Sequence, residues 1–332
     1  MDIGNTKELK SRAAEQLERA GEEKRIILIY TALVLGLSAG VTLVNYLLGL
    51  QISQTGGLGS IGFRSVLSTV QTVLPIAQSV VMLCLDLGFL AAMLRIARGQ
   101  YVSAQTLRLG FARFWPLLRL TMLKGLLFAG VGFLCIYLAT MIFLLTPLSK
   151  PAMEILLPLM NQVSTLNPQV VLDDTVYLQL TSAMMPVMLI FAVIYCAAAA
   201  PLAYALRMSE YVLIDKPGTG ALAAMRESRK MTRRKRLKLL RLDLGLWWYY
   251  AALLGAMAVC YGDQILAALG VKLPWSEDVS FFLFYGLYLA AQFAVYYFLR
   301  GRVEVTYALA YDALRPRERQ ENGVVLGNIF QM

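Results

Sequence analysis

The chain has 332 residues, 58% of them hydrophobic and only 16% charged, with a formal net charge of +10 and no histidine. A mean hydropathy of +0.60 excludes an ordinary soluble domain and points to the bilayer. Without histidine the chain builds no Ser-His-Asp triad, His-ligated zinc, haem axial histidine or histidine proton shuttle.

Residues 1–25 hold six cations and six acids. From Lys7-Glu8-Leu9-Lys10 to Glu22-Glu23-Lys24-Arg25 they read as a near-neutral helical arm without the apolar core of a cleavable signal. Six apolar stretches follow, over about 26–50, 70–94, 117–144, 184–206, 244–269 and 281–299, close to the ~20 residues a helix needs to cross a bilayer. None alternates every second residue as barrel strands do. In lipid the remaining solution is the helix, which satisfies its own backbone. The expected fold is an all-α polytopic integral membrane protein of about six transmembrane helices, with amphipathic interfacial helices in its basic connections. Its expected divisions are an arm over 1–25, a membrane domain over 26–300 and a tail over 301–332.

Along the chain, Gly36 and Gly40 in the first span form a small-xxx-small pair that admits a close helix, and Asn45 lies toward its far end. The first connection, with Gly56, Gly57, Gly59 and Gly62, reads as a flexible loop. The second span carries Pro75 and Asp86, and residues 95–113 read as a short amphipathic helix. Trp115-Pro116 opens the third span. The long third connection contains Met153-Glu154-Ile155-Leu156-Leu157, which predicts a surface-lying helix, and Asp173-Asp174, which predicts a turn. Pro186 and Pro201 predict a kinked fourth span. Tyr285, Tyr288, Tyr296, Tyr297, Tyr307 and Tyr311 run through the sixth span into the tail. Leu117-Leu118-Arg119-Leu120 and Leu239-Leu240-Arg241-Leu242 hint at an internal repeat. Cys84, Cys135, Cys196 and Cys260 each fall in a different span, without a CxxC pair, and read as apolar fillers.

Of 31 Lys and Arg, only Arg64, Lys150 and Lys272 fall in the first, third and fifth connections. Positive charge marks the cytoplasmic side of short loops, so both termini are expected there in a multi-pass plasma-membrane protein.

Two sets of residues stand out. Asp86 lies nine residues before Arg95, roughly 13 Å inside the boundary, where a lone charge costs on the order of 3 kcal/mol. Lys124, eight residues after Pro116, reaches a similar depth, so Asp86 and Lys124 form a candidate intramembrane charge pair: a relay, a counter-charge for a substrate or a fixed interhelical bridge. Asp263 reads as an interfacial carboxylate at another depth, which leaves no facing pair for an intramembrane aspartyl protease. The second set is polybasic. Arg226, Arg229, Lys230, Arg233, Arg234, Lys235, Arg236, Lys238 and Arg241 stand against one acid, Glu227. Cations near an anionic leaflet contribute about 1 kcal/mol each, which makes them a candidate headgroup-binding segment, or else plain topology control. A helix is expected over about 219–231 with a turn after it, because beyond Arg233 the cations keep to no single face. No aromatic platform accompanies them, so nucleic acid is not an expected partner.

Three patches carry a family resemblance: Lys7-Glu8-Leu9-Lys10-Ser11-Arg12-Ala13-Ala14-Glu15-Gln16-Leu17; Tyr211-Val212-Leu213-Ile214-Asp215-Lys216-Pro217 with Ala224-Met225-Arg226-Glu227-Ser228-Arg229-Lys230-Met231; and Thr306-Tyr307-Ala308-Leu309-Ala310-Tyr311-Asp312-Ala313-Leu314. Through them the chain resembles a family of uncharacterised bacterial six-span membrane proteins, itself similar to the membrane domain of some glycerophosphodiester phosphodiesterases, whose catalytic domain this chain lacks. The resemblance implies a bacterial plasma-membrane protein without an assigned activity. The function expected is a non-enzymatic scaffold, accessory or lipid-associated factor whose partners are anionic phospholipids and a protein in the membrane. No catalytic residue, cofactor or metal ligand is expected. The alternative is a transporter or permease component working through Asp86 and Lys124.

Overall fold

The computed structural model of the chain describes residues 5–19, 23–54, 61–164, 174–271 and 273–315. The described residues are mostly helical, and none of them forms a strand. In chain order they form α1 (Thr6–Arg19), α2 (Glu23–Gln54), α3 (Ile61–Ala97), a 3-10 turn (Ala104–Arg108) running into α4 (Leu109–Ala112), α5 (Phe114–Leu145), α6 (Lys150–Ser164), α7 (Asp174–Leu206), α8 (Ser209–Asp215), α9 (Ala221–Thr232), α10 (Arg236–Gly245), α11 (Trp247–Cys260), α12 (Gly262–Ala268) and α13 (Glu277–Val295). A π-helical turn, Tyr296–Arg300, then leads without a break into α14 (Gly301–Leu314).

Among the described residues five helical segments are long and apolar enough to cross a membrane: Lys24–Ser53, Gly62–Ala97, Phe114–Leu145, Gln179–Asp215 and Asp278–Leu314. A sixth arises if α10 and α11, bent by 58° from each other, count as one span. This is the all-α polytopic architecture the apolar stretches predict. At 32 and 37 residues, α2 and α3 reach about 48 and 56 Å, well beyond a ~30 Å hydrocarbon core.

The chain divides into two compact units, Met1–Leu118 with Met208–Met332, and Arg119–Arg207. In the second, α6 packs on α7. Phe143 and Ala139 of α5, Ala152 of α6 and Val187 of α7 form its small core. Most of its other large apolar side chains face outward, with Leu126, Phe133 and Leu145 each more than 70% exposed. Soluble surfaces do not carry apolar patches of this extent, so these are lipid-facing positions. Pro186 and Pro201 both lie inside α7, which continues through them. Asp174 opens α7, whereas Asp173 lies outside the described residues, as do Gly56, Gly57, Gly59 and Lys272.

The first unit keeps its core at one end. The second half of α3 is buried nearly all round, from Cys84 through Leu87, Phe89, Ala92 and Met93 to Ile96, as a helix at the centre of a protein core must be. α1, α2, α14, α8 and the segment 104–112 pack around it. Two glycines permit the closest approach. A Cβ on Gly88 would fall 2.1 Å from the Leu107 carbonyl oxygen, and one on Gly110 would fall 1.8 Å from that of Cys84. At Gly36 and Gly40 a Cβ would meet open space, so the expected small-residue contact sits elsewhere.

The N-terminal arm joins this core. Asn5 caps α1 by accepting the Glu8 N–H at 3.3 Å and donating to the Glu8 carboxylate at 3.2 Å. Leu9, Ala13 and Leu17 line one helical face and are buried, largely against α14. Residues 301–314, which the sequence assigns to a tail, are α14, with Val303, Val305, Ala308, Ala310 and Tyr311 buried. The apolar run ends at Leu299, but the helix persists because the charges beyond it find partners in the core.

Candidate functional site

Asp86 sits on the buried half of α3. Its carboxylate receives the Arg300 guanidinium at 2.9 Å and the Tyr30 hydroxyl of α2. Arg300 comes from the π-helical turn and lies over the rings of Tyr296 (4.6 Å), Tyr30 (4.8 Å) and Phe89 (5.6 Å). Tyr30 and Phe89 themselves stack at 4.1 Å. The cation is thus held by one carboxylate and three aromatic faces, an arrangement suited to a guanidinium in low dielectric. Lys124, proposed from sequence as the Asp86 partner, belongs to the other unit. In the sequence Arg300 ends an apolar run and reads as a boundary cation, so nothing there marks it as the Asp86 partner.

A second ionic cluster draws on the second and third of the sequence patches singled out above. α3 ends in a Schellman turn, with Gly99 at φ 67° and the Gln100 N–H bonded to the Arg95 carbonyl at 3.0 Å. That turn aims Arg98 between two helices. It bonds Asp312 of α14 through Nε and Nη2 at 3.0 and 2.6 Å, and Asp215 of α8 through Nη1 at 2.8 Å. Asp215 also receives Arg315 at 3.1 Å and the Tyr311 hydroxyl at 3.1 Å. Burial opposes the charge of Arg98, but the Asp312 hydrogen bonds and the two carboxylate charges outweigh it and hold its pKa above the ordinary value. Arg113 donates to the carbonyls of Leu213 and Ile214. There burial lowers the guanidinium pKa. These contacts join α3, α8 and α14 into one base.

The polybasic segment folds as a helix, a turn and a second helix. Pro217 and Gly218 (φ 93°) turn the chain after α8, with the Thr219 N–H bonded to the Lys216 carbonyl at 3.2 Å. α9 follows, close to the helix expected there. It buries Ala221, Ala224, Met225, Ser228 and Thr232, so Arg226, Arg229, Lys230, Arg233 and Arg234 project outward. Glu227, the one acid of the run, pairs with Lys216. The turn at 233–235 leads into α10, where Lys238 and Arg241 are exposed and Lys235 and Arg236 half-buried.

α10 has two apolar sides. Leu239 and Leu242 are buried, while Leu237 (81%), Leu240 and Leu244 are exposed at the i, i+3, i+7 spacing of a single face. Its inner side is fastened: the Tyr307 hydroxyl donates to Asp243 at 2.6 Å, Tyr250 and Tyr307 share a bond at 2.9 Å, and Lys10 of α1 donates to the Gly245 carbonyl. Leucines on opposite sides cancel the amphipathic signature, which is why this helix was not legible. The first copy of the suspected repeat, by contrast, lies inside the unbroken α5.

Among the described residues no three His, Cys, Asp or Glu side chains gather as a metal site would require. Asp263 lies in the short helix α12, far along the chain from these clusters.

The family model described as "Protein of unknown function (DUF975)" matches residues 1–317, and the chain belongs to that family. Neither the curated proteins nor the solved structures contain a match to it. The likeness to the membrane domain of glycerophosphodiester phosphodiesterases finds no support in these comparisons.

Proposed function

We propose that this member of an uncharacterised family is a non-enzymatic scaffold, accessory or lipid-associated protein of the bacterial plasma membrane, and that residues 226–241 hold anionic phospholipid headgroups on its cytoplasmic side. The observation that carries the reading is the two-sidedness of α10. α10 is bent by 58° from α11, so we read it as lying in the interface rather than continuing the axis of that helix. Its inner leucines face protein, its outer leucines suit the acyl boundary, and its cations suit phosphates. Seven exposed cations at about 1 kcal/mol each exceed what topology alone needs.

The test uses the full chain in nanodiscs, with Cys84, Cys135, Cys196 and Cys260 replaced by alanine and a single spin label at L240C or R229C. In bilayers containing phosphatidylglycerol, the L240C label is expected to be shielded from water-soluble relaxants and open to oxygen, and the R229C label the reverse. Equal access of both labels to water-soluble relaxants would count against the proposal.

A second reading, a transporter component working through Asp86, draws on the π-helical turn beside it, because such turns recur at functional sites. The pairing of Asp86 with Arg300 and Tyr30 favours a structural role instead.

A further inference from the structure

A cavity of about 560 Å³ opens between α2, α3 and the segment 104–111, within the ~300–1,000 Å³ range of small-ligand sites. Its walls are apolar: Ile29, Leu33 and Leu37 on successive turns of α2, Val81 and Leu85 on α3, and Phe111 of α4. The polar lining is confined to Gln105 and Arg108. Arg108 is exposed, as is Arg25, which lies one turn before Ile29 on α2. Arg108 is thus the one cation in the lining, and the rest is hydrocarbon-like apart from Gln105.

The wall formed by 104–111 is rigid. It is set against α3 by the backbone approaches at Gly88 and Gly110, and it is closed on itself by the Thr106 N–H bond to the Ser103 carbonyl at 2.9 Å. Thr106 and Leu107 are buried beneath it. The cavity is therefore a preformed slot rather than a gap between mobile side chains.

We infer that this slot binds one acyl chain of an anionic glycerophospholipid, with Arg108, helped by Gln105, holding its phosphate. Charge complementarity selects that occupant. A lipid without phosphate leaves Arg108 unused, a zwitterionic phospholipid sets its own ammonium against the arginine, and an apolar helix of a partner protein gives Arg108 no anion. The wall spanning 29–37 covers about 12 Å of helix axis, a length suited to a chain entering beside Arg108. The site shares no residue with 226–241, so it stands or falls apart from the headgroup reading of α10.

The experiment is photolabelling of the full chain in phosphatidylcholine nanodiscs doped with phosphatidylglycerol carrying a diazirine on its acyl chain, with the adducts mapped by peptide mass spectrometry. The expected result is adducts concentrated on peptides containing 29–37 and 104–111, displaced by unlabelled phosphatidylglycerol more readily than by phosphatidylcholine. Arg108→Gln is expected to lower that preference about fivefold while chain labelling persists. Leu33→Phe with Val81→Phe fills the slot from less buried positions and is expected to abolish labelling there without lowering the melting temperature. If the filled variant fails to fold, the Arg108→Gln competition decides alone. Adducts spread evenly over lipid-facing positions such as Leu126 and Phe133, an unchanged preference in Arg108→Gln, or protection of the slot by a second protein would each overturn the inference.

Discussion

Arg98, in the turn that ends α3, and Asp312 of α14, 214 positions apart in the chain, meet in a two-bonded ion pair at 2.6 and 3.0 Å. The pair closes the base of the first unit, and it holds Asp215 in the same cluster with a side chain only 6% exposed. Removing one partner of such a group leaves a buried charge uncompensated, which costs about 3–5 kcal/mol. Arg98→Ala is therefore expected to destabilise the protein in detergent by about 3 kcal/mol. A double-mutant cycle with Asp312→Ala is expected to show a coupling of at least about 1 kcal/mol. Additive single effects in denaturant unfolding would remove the pair from the account.

Asp86 and Arg300 give a second prediction. Arg300→Met strands the carboxylate on α3, and Asp86→Asn in that background is expected to recover most of the loss, because both charges are then gone. Melting temperatures of the two single variants and the double variant decide this. If Asp86→Asn alone leaves stability unchanged but abolishes a proton- or substrate-dependent phenotype, the structural reading fails and the transporter reading gains.

Glycines separate close approach from open space. Gly110→Ala must displace the Cys84 carbonyl or the segment carrying Gly110, and a cost of at least about 2 kcal/mol is expected. Gly99→Ala puts an L side chain in the left-handed region, at about 1–2 kcal/mol. Gly36→Ala, which meets nothing within 4 Å, is expected to be neutral or slightly stabilising. Thermal unfolding of the three variants in one detergent should follow that order.

The all-α membrane class was legible because apolar runs near span length leave little choice of fold. The helix α9 and its turn were legible for a related reason: its buried positions recur at helical spacing, and the pattern fails beyond Arg233. Long-range pairing was not legible. Leu9, Ala13 and Leu17 mark α1 as amphipathic but do not say that α14 covers them. Arg300 and Arg302 interrupt hydropathy and so end a span on paper, yet the helix runs on to Leu314 because Asp86 and its aromatic neighbours accept Arg300. Asp86 was conspicuous because a charge within an apolar run is rare. Arg98 and Asp312 were not, because charges at helix ends are ordinary.

The proposed contact of the outward cations of α9 and α10 with anionic headgroups can be measured. Energy transfer tests it most directly, from a donor on L240C, with Cys84, Cys135, Cys196 and Cys260 replaced by alanine, to headgroup-labelled lipid in mixed nanodiscs. At equal mole fraction, labelled phosphatidylglycerol is expected to give clearly stronger transfer than labelled phosphatidylcholine. The difference is expected to vanish when the outward cations Arg226, Arg229, Lys230, Arg233, Arg234, Lys238 and Arg241 are changed to glutamine. Equal transfer to both lipids in the unneutralised protein would contradict the claim.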